Sequence, residues 1–362
     1  MSLMICLSSS SFFLSDHLHA HALANTISQS QLNYALKHKY QFAYQYQYQH
    51  LPYGSVNWLS NSQKLAREQG DIAAKLAEFY LAEANVEQAI IWYKKAISLN
   101  YLPARLSLAS LYFSNEDYQQ VKRYLINSEQ LTEQATLLLV KSLIAIGELA
   151  ELPALIPQLR RSEQGRVLLE KLFIYRVISG DMADSDIRAL LAARYLLLNR
   201  KKDTENCVVS LQLFATTVAD LAYAEQLITA FTSHQLQASI CLAVPRYIAK
   251  IRLKCADKTT QAIRCEESSW RELADDIDSR YIGVILPKGG ANVHLGIMYL
   301  DRHDTVDVFA HEISHLLGFV DEYPLPPKHE KCSQVQERPF AHNIVVLNKS
   351  YQGDRNSLRK QL

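Results

Sequence analysis

The residues of this chain best suited to chemistry lie in one stretch of eleven, from His311 to Asp321, with the spacing HExxHxxGxxD. On a helix, His311 and His315 project from the same face, because residues four apart are neighbours there, and two such imidazoles can bind one Zn²⁺. Glu312 would lie beside the metal, where it can accept a proton from a metal-bound water. Gly318 can end the helix, so that Asp321 turns back as a third ligand. This pattern predicts hydrolysis by a zinc-activated water.

The sequence around the motif predicts a buried helix. Its apolar positions are Val306, Val308, Phe309, Ile313, Leu316 and Leu317. Asp304 and Thr305 are residue types that cap helix N-termini, and the acid at Asp307 suits the positive end of the helix dipole. Gly318 suits the position after the last turn, because glycine adopts a positive φ without strain. We therefore expect the motif to begin on a helix whose apolar face lies in a core.

The motif resembles that of the metzincin clan of zinc metallopeptidases, HExxHxxGxxH, in which snapalysin-like members have Asp as the third ligand. The resemblance implies that His311, His315 and Asp321 bind Zn²⁺. It also implies that Glu312 is the general base. The resemblance covers residues 204–362 and is sharp only across the motif and the two residues that follow it.

Four residues downstream of the motif are alternatives for the third ligand: His329, Glu330, Glu337 and His342. A glutamate ligand would come from a later helix, but the segment 324–342 contains four prolines and is not typical of a helix. Asp321 is therefore the expected ligand. The run Asp321-Glu322-Tyr323 is also similar to the end of the motif in some bacterial metallopeptidases of this kind. We expect Glu322 to be solvated or to contact the metal ligands without binding the metal itself. We expect Tyr323 to be packed, with its hydroxyl hydrogen-bonded to the protein, rather than to bind an oxyanion.

The region after the motif departs from the metzincin pattern. Metzincins have a methionine beneath the metal, downstream of the third ligand, whereas the four methionines here are Met1, Met4, Met182 and Met298. Only 41 residues (362 minus 321) follow the motif. We expect that another residue fills that place or that the C-terminal part is abbreviated.

A helical-repeat scaffold with an inactive peptidase domain is the alternative function. A purely structural zinc site is less favoured, because such sites usually close with four protein ligands.

Length and charge limit the classes of function. With 362 residues, the chain is expected to form two domains. Its 38 basic and 37 acidic residues give a formal net charge of +1, so we expect no nucleic-acid partner. No apolar run reaches the roughly 18 residues that a membrane span requires. The expected partners are a peptide or protein substrate and a protein bound to the helical region.

The first residues resemble a signal peptide. An apolar-to-small run is followed by Ala22-Leu23-Ala24, which is similar to a signal-peptidase site, although no Lys or Arg precedes the run. We therefore expect residues 1–24 to be a signal peptide and the protein to be periplasmic or secreted. Three alternating histidines would be removed with it: His17, His19 and His21. They could contact a metal, but an incidental polar stretch is the simpler interpretation.

Five of the six cysteines lie in the C-terminal half. In an exported protein Cys255 could pair with Cys265 across a polar loop. Cys207 could then pair with Cys241, which would leave Cys332 single. The sequence leaves this pairing open. No CxxC spacing occurs, so a zinc-binding cysteine cluster is not expected.

The N-terminal half is predicted to be helical after a polar start. Residues 25–58 form a Tyr- and Gln-rich leader, in which the run from Tyr44 to Gln49 could be an alternating strand or a low-complexity segment. Residues 59–203 are expected to be helical throughout. The polar run 199–203 marks the boundary with the domain formed by residues 204–362.

A pattern of small and large apolar residues recurs in this helical region after 32 residues (108 minus 76). The first unit has Leu76, Ala77, Tyr80, Ala89, Tyr93 and Ala96, and the second has Leu108, Ala109, Tyr112, Val121 and Leu125. The pattern resembles tetratricopeptide (TPR) or Sel1-like repeats, which implies a protein partner or the substrate on the concave face. An ordinary helical domain with alanine–tyrosine packing is the alternative.

Beyond residue 203 strands alternate with helices. We predict strands at 207–216, 240–248, 281–286 and 293–300, and helices at 218–234 and 270–277 before the metal helix. Pro245 would confine the second strand to an edge or a bulge. The predicted fold class is therefore α+β, with a TPR/Sel1-like helical domain followed by a metzincin-like α/β zinc-peptidase domain. The resemblance implies that the strand around His294 lies at the sheet edge and pairs with an extended peptide substrate.

Overall fold

The computed structural model describes residues 2–128, 130–178, 207–255, 263–266, 270 and 277–320. The chain divides into two compact units, Met1–Ser142 and Leu143–Leu362. A helical N-terminal region is followed by a mixed α/β sheet region, as the α+β class predicts. The expected domain boundary at residue 203 lies outside the described residues. Within the described part, no helix is both long enough and apolar enough to span a membrane.

The first unit is built from helices. They are α1 Ser2–Leu23, α2 Gln29–Lys37, α3 Gln41–His50, α4 Val56–Leu65, α5 Gly70–Ala82, α6 Val86–Ser98, α7 Pro103–Ser114, α8 Tyr118–Leu125 and the first turns of α9 Glu133–Ile146. The Tyr-Gln run lies in α3, so the alternating strand considered above is wrong. The packed residues Phe42, Ala43 and Tyr46 are spaced three and four apart, and this helical period decides the structure.

The helices α5 to α8 form two antiparallel hairpins in sequence order. The residues of the 32-residue pattern lie in their cores: Leu76, Ala77, Ala89, Tyr93 and Ala96 in the first hairpin, and Leu108, Ala109, Tyr112, Val121 and Leu125 in the second. Tyr80 is half-buried, and its hydroxyl accepts a hydrogen bond from Gln63 Nε2 at 2.9 Å. Small side chains let paired helices approach closely, and the tyrosines fill the space between them.

The second unit combines helices with one sheet. Its elements are the end of α9, α10 Leu152–Leu159, α11 Glu163–Ile174, β1 Val209–Ala215, α12 Val218–Phe231, β2 Ile240–Leu242, β3 Arg246–Tyr247, α13 Lys250–Leu253, β4 Tyr281–Leu286, β5 Asn292–His294, β6 Ile297–Asp301 and α14 Val306–Leu316. Short 3₁₀ turns lie at Leu149–Glu151 and Gln235–Ser239. Tyr247 joins the helices to the sheet. Its hydroxyl donates to the Ile144 carbonyl at 2.7 Å, and its N–H donates to the Tyr175 carbonyl at 2.9 Å.

The described strands form a sheet of order β2-β1-β4-β6-β5, with β3 also paired to β1. The pairs of β1 with β2, β3 and β4, and of β4 with β6, are parallel. Only β5 runs antiparallel, against β6. The helix that carries the motif therefore follows β6, next to the antiparallel end of the sheet.

Two of the predicted strands are divided in the structure. The prediction of one strand over 240–248 is wrong, because the chain is divided around Pro245 into β2 and β3. The buried Gln212 amide donates to the Val244 carbonyl at 2.6 Å in this break. The prediction of one strand over 293–300 is wrong, because the chain folds there into the β5–β6 hairpin. Its turn residues, Leu295 and Gly296, have φ of 51° and 79°. A tight two-residue hairpin turn of this kind requires two positive φ values. Leucine is not a residue type that indicates such a turn, so the sequence did not predict it. The predicted helix 270–277 lies mostly outside the described residues.

Both cysteine pairings considered from the sequence are present. A disulfide joins Cys207 to Cys241 and connects the start of β1 to β2. A second joins Cys255 to Cys265, which is buried in the core with Trp270 and Tyr299. Cys332 lies outside the described residues.

Candidate metal centre

Helix α14 begins and ends at defined capping motifs. The Thr305 hydroxyl accepts the N–H of Val308 at 3.4 Å, which confirms the predicted N-cap. At the other end Gly318 has φ of 89°, its N–H donates to the His315 carbonyl at 3.0 Å, and the N–H of Phe319 donates to the Ser314 carbonyl at 3.1 Å. These two bonds form a Schellman motif, which satisfies the last carbonyls and turns the chain back.

The apolar face of α14 anchors it in the core of the second unit. Phe309 and Ile313 are fully buried, and the Phe309 ring packs edge-to-face on Phe231 of α12 with centroids 5.3 Å apart. Burying two large apolar side chains stabilises such a contact by several kcal/mol, about 2 kcal/mol for each. The helix is thus anchored to α12 through its apolar face.

The two histidines of the motif meet at their Nε2 atoms. His315 Nε2 lies 3.1 Å from His311 Nε2, and the rings are nearly perpendicular. His315 Nδ1 lies 2.9 Å from the Phe319 carbonyl oxygen. Because a carbonyl can only accept, Nδ1 is the donor, and Nε2 is the nitrogen of His315 that remains available to a metal. The Phe319 carbonyl thus fixes the orientation of the His315 ring. Hydrogen-bond partners outside the coordination shell have the same role for metal-binding histidines.

A buried carboxylate lies beside these histidines. Glu312 is 5 % exposed, whereas His311 is exposed and His315 is half-buried. One ligand atom from each of the three residues lies within 4.8 Å of the others. Within the described residues this is the only group of three or more His, Cys, Asp or Glu side chains with that geometry. Two imidazoles and a carboxylate are a donor set that suits Zn²⁺.

The loop between β6 and α14 is organised by Asp301. Its buried carboxylate accepts the N–H groups of Gly289 at 3.1 Å, Gly290 at 2.9 Å and His303 at 2.8 Å. Burial by itself would raise the pKa of Asp301, but these backbone hydrogen bonds outweigh it and hold the pKa below its usual value. The pKa of Asp304 is raised, chiefly because the carboxyl is buried. The hydrogen bond that it accepts from the Asp301 N–H acts in the opposite direction but does not cancel this effect.

Helix α12 fixes the same loop from the other side. Arg302 Nε lies 2.8 Å from Oδ1 of Asp220, which is completely buried. The Thr217 hydroxyl donates to Oδ2 of Asp220 at 2.7 Å. The hydroxyl of Tyr223 donates to the Asp304 carbonyl, and burial raises the pKa of Tyr223 to about 12. Sequence inspection missed these positioning residues, because no local pattern relates Asp220 to Arg302.

The structure brings together three of the four predicted site residues: His311, Glu312 and His315. Asp321, together with the alternatives His329, Glu330, Glu337 and His342, lies outside the described residues. His294 is half-buried on β5, which ends the sheet among the described strands.

No protein-family model matches this chain, and no curated protein matches it either.

Proposed function

We propose that this chain is a zinc-dependent metallopeptidase. The observation that carries the proposal is the pair of Nε2 atoms 3.1 Å apart on a rigid helix, with the buried carboxylate of Glu312 between the two histidines in sequence. Zn²⁺ bound there would acidify a water molecule and polarise the carbonyl of a scissile peptide bond. A purely structural site would not require a buried base at that position.

Glu312 is the proposed general base. Its carboxylate would take a proton from the attacking water and later donate it to the leaving amine. Burial excludes competing water and strengthens the attraction between this carboxylate and a nearby cation. The cap at Thr305 and the Schellman motif at Gly318 hold the helix, so the carboxylate keeps its distance from both histidines.

Asp321 is the proposed third ligand. The Phe319 carbonyl is hydrogen-bonded to His315, and Asp321 follows only two residues later. This connection supports a ligand from the turn after the helix, as the metzincin resemblance implies. A carboxylate ligand would partly neutralise the cation and make it a weaker Lewis acid than a site with three histidines.

An extended peptide is the proposed substrate. Strand β5 pairs with β6 on one side, and among the described strands nothing pairs with its other side. Such an edge can accept a peptide through backbone hydrogen bonds, which by themselves give little sequence selectivity. The edge lies next to the helix that carries the histidines, since β6 leads into α14.

The helices of the first unit are proposed to be TPR/Sel1-like repeats that bind a protein partner or the substrate. The 32-residue period extends to the turns of the hairpins, where Ala84 and Glu116 have φ of 56° and 60°. The next residues, Asn85 and Asp117, cap the following helices by accepting N–H groups at 3.2 and 3.3 Å. Matching turns and caps support two copies of one structural unit.

Export to the periplasm or the exterior is proposed from the disulfides. Two pairs of cysteines are joined in the second unit, and disulfides persist in oxidising compartments. This agrees with the signal peptide expected from residues 1–24.

The test is hydrolysis of a quenched-peptide library by the full chain with zinc, with a chelator and as Glu312→Gln. Asp307→Asn is the matched control, because it makes the same change on an exposed residue of the same helix. A zinc peptidase loses activity with the chelator and with Glu312→Gln and keeps it with Asp307→Asn.

The alternative is an inactive scaffold, which the absence of a methionine after Asp321 favours. Zinc content alone does not separate the two functions, since an inactive domain can retain its metal. Cleavage that survives Glu312→Gln would contradict the proposed role of that residue, and a zinc-loaded chain that cleaves no peptide in the library would favour the scaffold.

A further inference from the structure

A second pair of histidines lies four residues apart on a helix, at His17 and His21 of α1. Their ring centroids are 4.6 Å apart with an interplanar angle of 83°, close to the 4.7 Å and 86° of His311 and His315. Two imidazoles with this spacing and orientation can approach one cation from two directions. The pair therefore shares the ring spacing and orientation of the pair on α14.

A hydrogen bond selects the metal-binding nitrogen of His21. The Thr26 hydroxyl lies 2.8 Å from His21 Nδ1 and 3.3 Å from the His21 carbonyl oxygen. When the hydroxyl donates to that carbonyl, its oxygen accepts from His21 Nδ1. His21 Nδ1 is then protonated, and Nε2 has the lone pair. This is the role that the Phe319 carbonyl has for His315. An outer partner of this kind fixes the ring of a metal-binding histidine.

The position of the pair on its helix also favours a cation. His21 lies in the last turn of α1, which ends at Leu23. The C-terminal end of a helix has a partial negative charge, which stabilises a bound cation. His17 is exposed and His21 is half-buried, so water molecules can complete the coordination shell.

We propose that His17 and His21 bind a divalent late-transition-metal ion, with Cu²⁺ bound more tightly than Zn²⁺. Imidazole suits both ions, and the general order of affinities places Cu²⁺ first. In the described residues the only cluster of three or more suitable side chains is at α14, so the α1 site has two protein ligands. Among the described residues no buried carboxylate like that of Glu312 belongs to this site, so we infer binding without hydrolysis there. Cleavage after Ala24 would remove both histidines, so the site belongs to the uncleaved chain.

The test is Cu²⁺ binding by the full chain in which His311→Ala and His315→Ala remove the other pair. Equilibrium dialysis with metal analysis should find one Cu²⁺ per chain, and the electron paramagnetic resonance spectrum should show nitrogen ligands. Either His17→Ala or His21→Ala, added to this background, should abolish that stoichiometric binding. In competition, Zn²⁺ should displace Cu²⁺ only when it is in excess.

His19→Ala is the matched control. It removes a histidine from the same turn of α1, but the His19 ring stacks on Phe42 with centroids 5.1 Å apart. Binding should therefore be unchanged in this variant, and circular dichroism should show that all variants remain helical. The proposal is overturned if no stoichiometric Cu²⁺ binds, or if His19→Ala lowers binding as much as His17→Ala does. Both readouts are independent of peptidase activity.

Discussion

The pairs His17–His21 and His311–His315 share their spacing, their nearly perpendicular rings and an outer hydrogen bond that selects Nε2. They differ in what surrounds them. Only the pair on α14 lies beside a buried carboxylate, that of Glu312. We propose that both pairs bind a metal, and that only the α14 pair supports hydrolysis because hydrolysis also needs a positioned base.

The supports of the two helices differ as well. A Schellman motif ends both helices, at Asn25 in α1 and at Gly318 in α14. Helix α14 also packs through Phe309 and Ile313, and it follows a loop held by the pair of Arg302 with the buried Asp220. The end of α1 packs through smaller contacts, at Leu18 and Ala22. The proposed catalysis would require that reacting groups keep their positions within a fraction of an ångström, and the contacts of α14 in the second unit favour this.

The largest effect is expected when the α14 pair loses a ligand. His311→Ala should greatly weaken zinc binding and reduce peptide hydrolysis to the rate without enzyme, because it leaves the ion only His315 and the proposed ligand Asp321. His17→Ala should instead release only the ion at α1 and leave the zinc at α14. Metal analysis of both purified variants checks this. Equal zinc loss in the two variants would contradict the assignment of the zinc site to the α14 pair alone.

A smaller effect is expected when the base is removed and the ligands stay. Glu312→Gln should lower kcat by about 10²- to 10⁴-fold, the range typical of general acid–base catalysis, and the variant should still bind zinc. Steady-state kinetics with a cleaved library peptide measure the change, and metal analysis measures the zinc. A loss of zinc comparable to that of His311→Ala would make Glu312 a ligand rather than a base.

The ion pair of Asp220 with Arg302, which holds the loop between β6 and α14, should contribute to the free energy of unfolding. Asp220→Asn removes the charge opposite Arg302. Because Arg302 is half-buried and water can solvate it, we expect the loss of this charged hydrogen bond to cost about 2 kcal/mol of unfolding free energy. Urea denaturation followed by circular dichroism measures the difference from the unchanged protein. The exposed Asp307→Asn should change the unfolding free energy by less than about 0.5 kcal/mol. Similar values for the two variants would mean that Arg302 does not hold the loop.

The smallest expected effects are on the pH dependence of the unfolding free energy. Asp301 and Asp304 should change it in opposite directions. The pKa of Asp301 is lowered in the folded state, so its contribution to stability is present above the ordinary carboxyl pKa, about 4, and is lost as the pH falls below it. The pKa of Asp304 is raised, so its contribution is present at low pH and is lost as the pH rises through its folded value.

The two asparagine variants test these signs. Asp301→Asn should weaken the loss of stability on acidification, and Asp304→Asn should increase it. Urea midpoints measured across the acidic range check both. Changes of the same sign in the two variants would contradict the assigned hydrogen bonds.

Local features of the fold were predictable where the deciding contacts are close in sequence. The cap at Thr305 and the glycine end at Gly318 follow from backbone groups within one turn, and the structure has both. The β5–β6 hairpin was not predictable, because Leu295 adopts a positive φ that its side chain does not favour. The helix α3 was ambiguous for another reason: the Tyr-Gln alternation has period two, and only packing on Leu32 and Ala35 selects the helix.

The sequence by itself determined both pairs of histidines, the helix that carries Glu312 and the strands β1 and β4. These depend on periodicity and capping, which act over a few neighbouring residues. Only the tertiary structure decided the order of the strands, the burial of Glu312 and the meeting of Asp220 with Arg302. Those features depend on contacts between distant segments, which form when the whole unit packs to exclude water from its core.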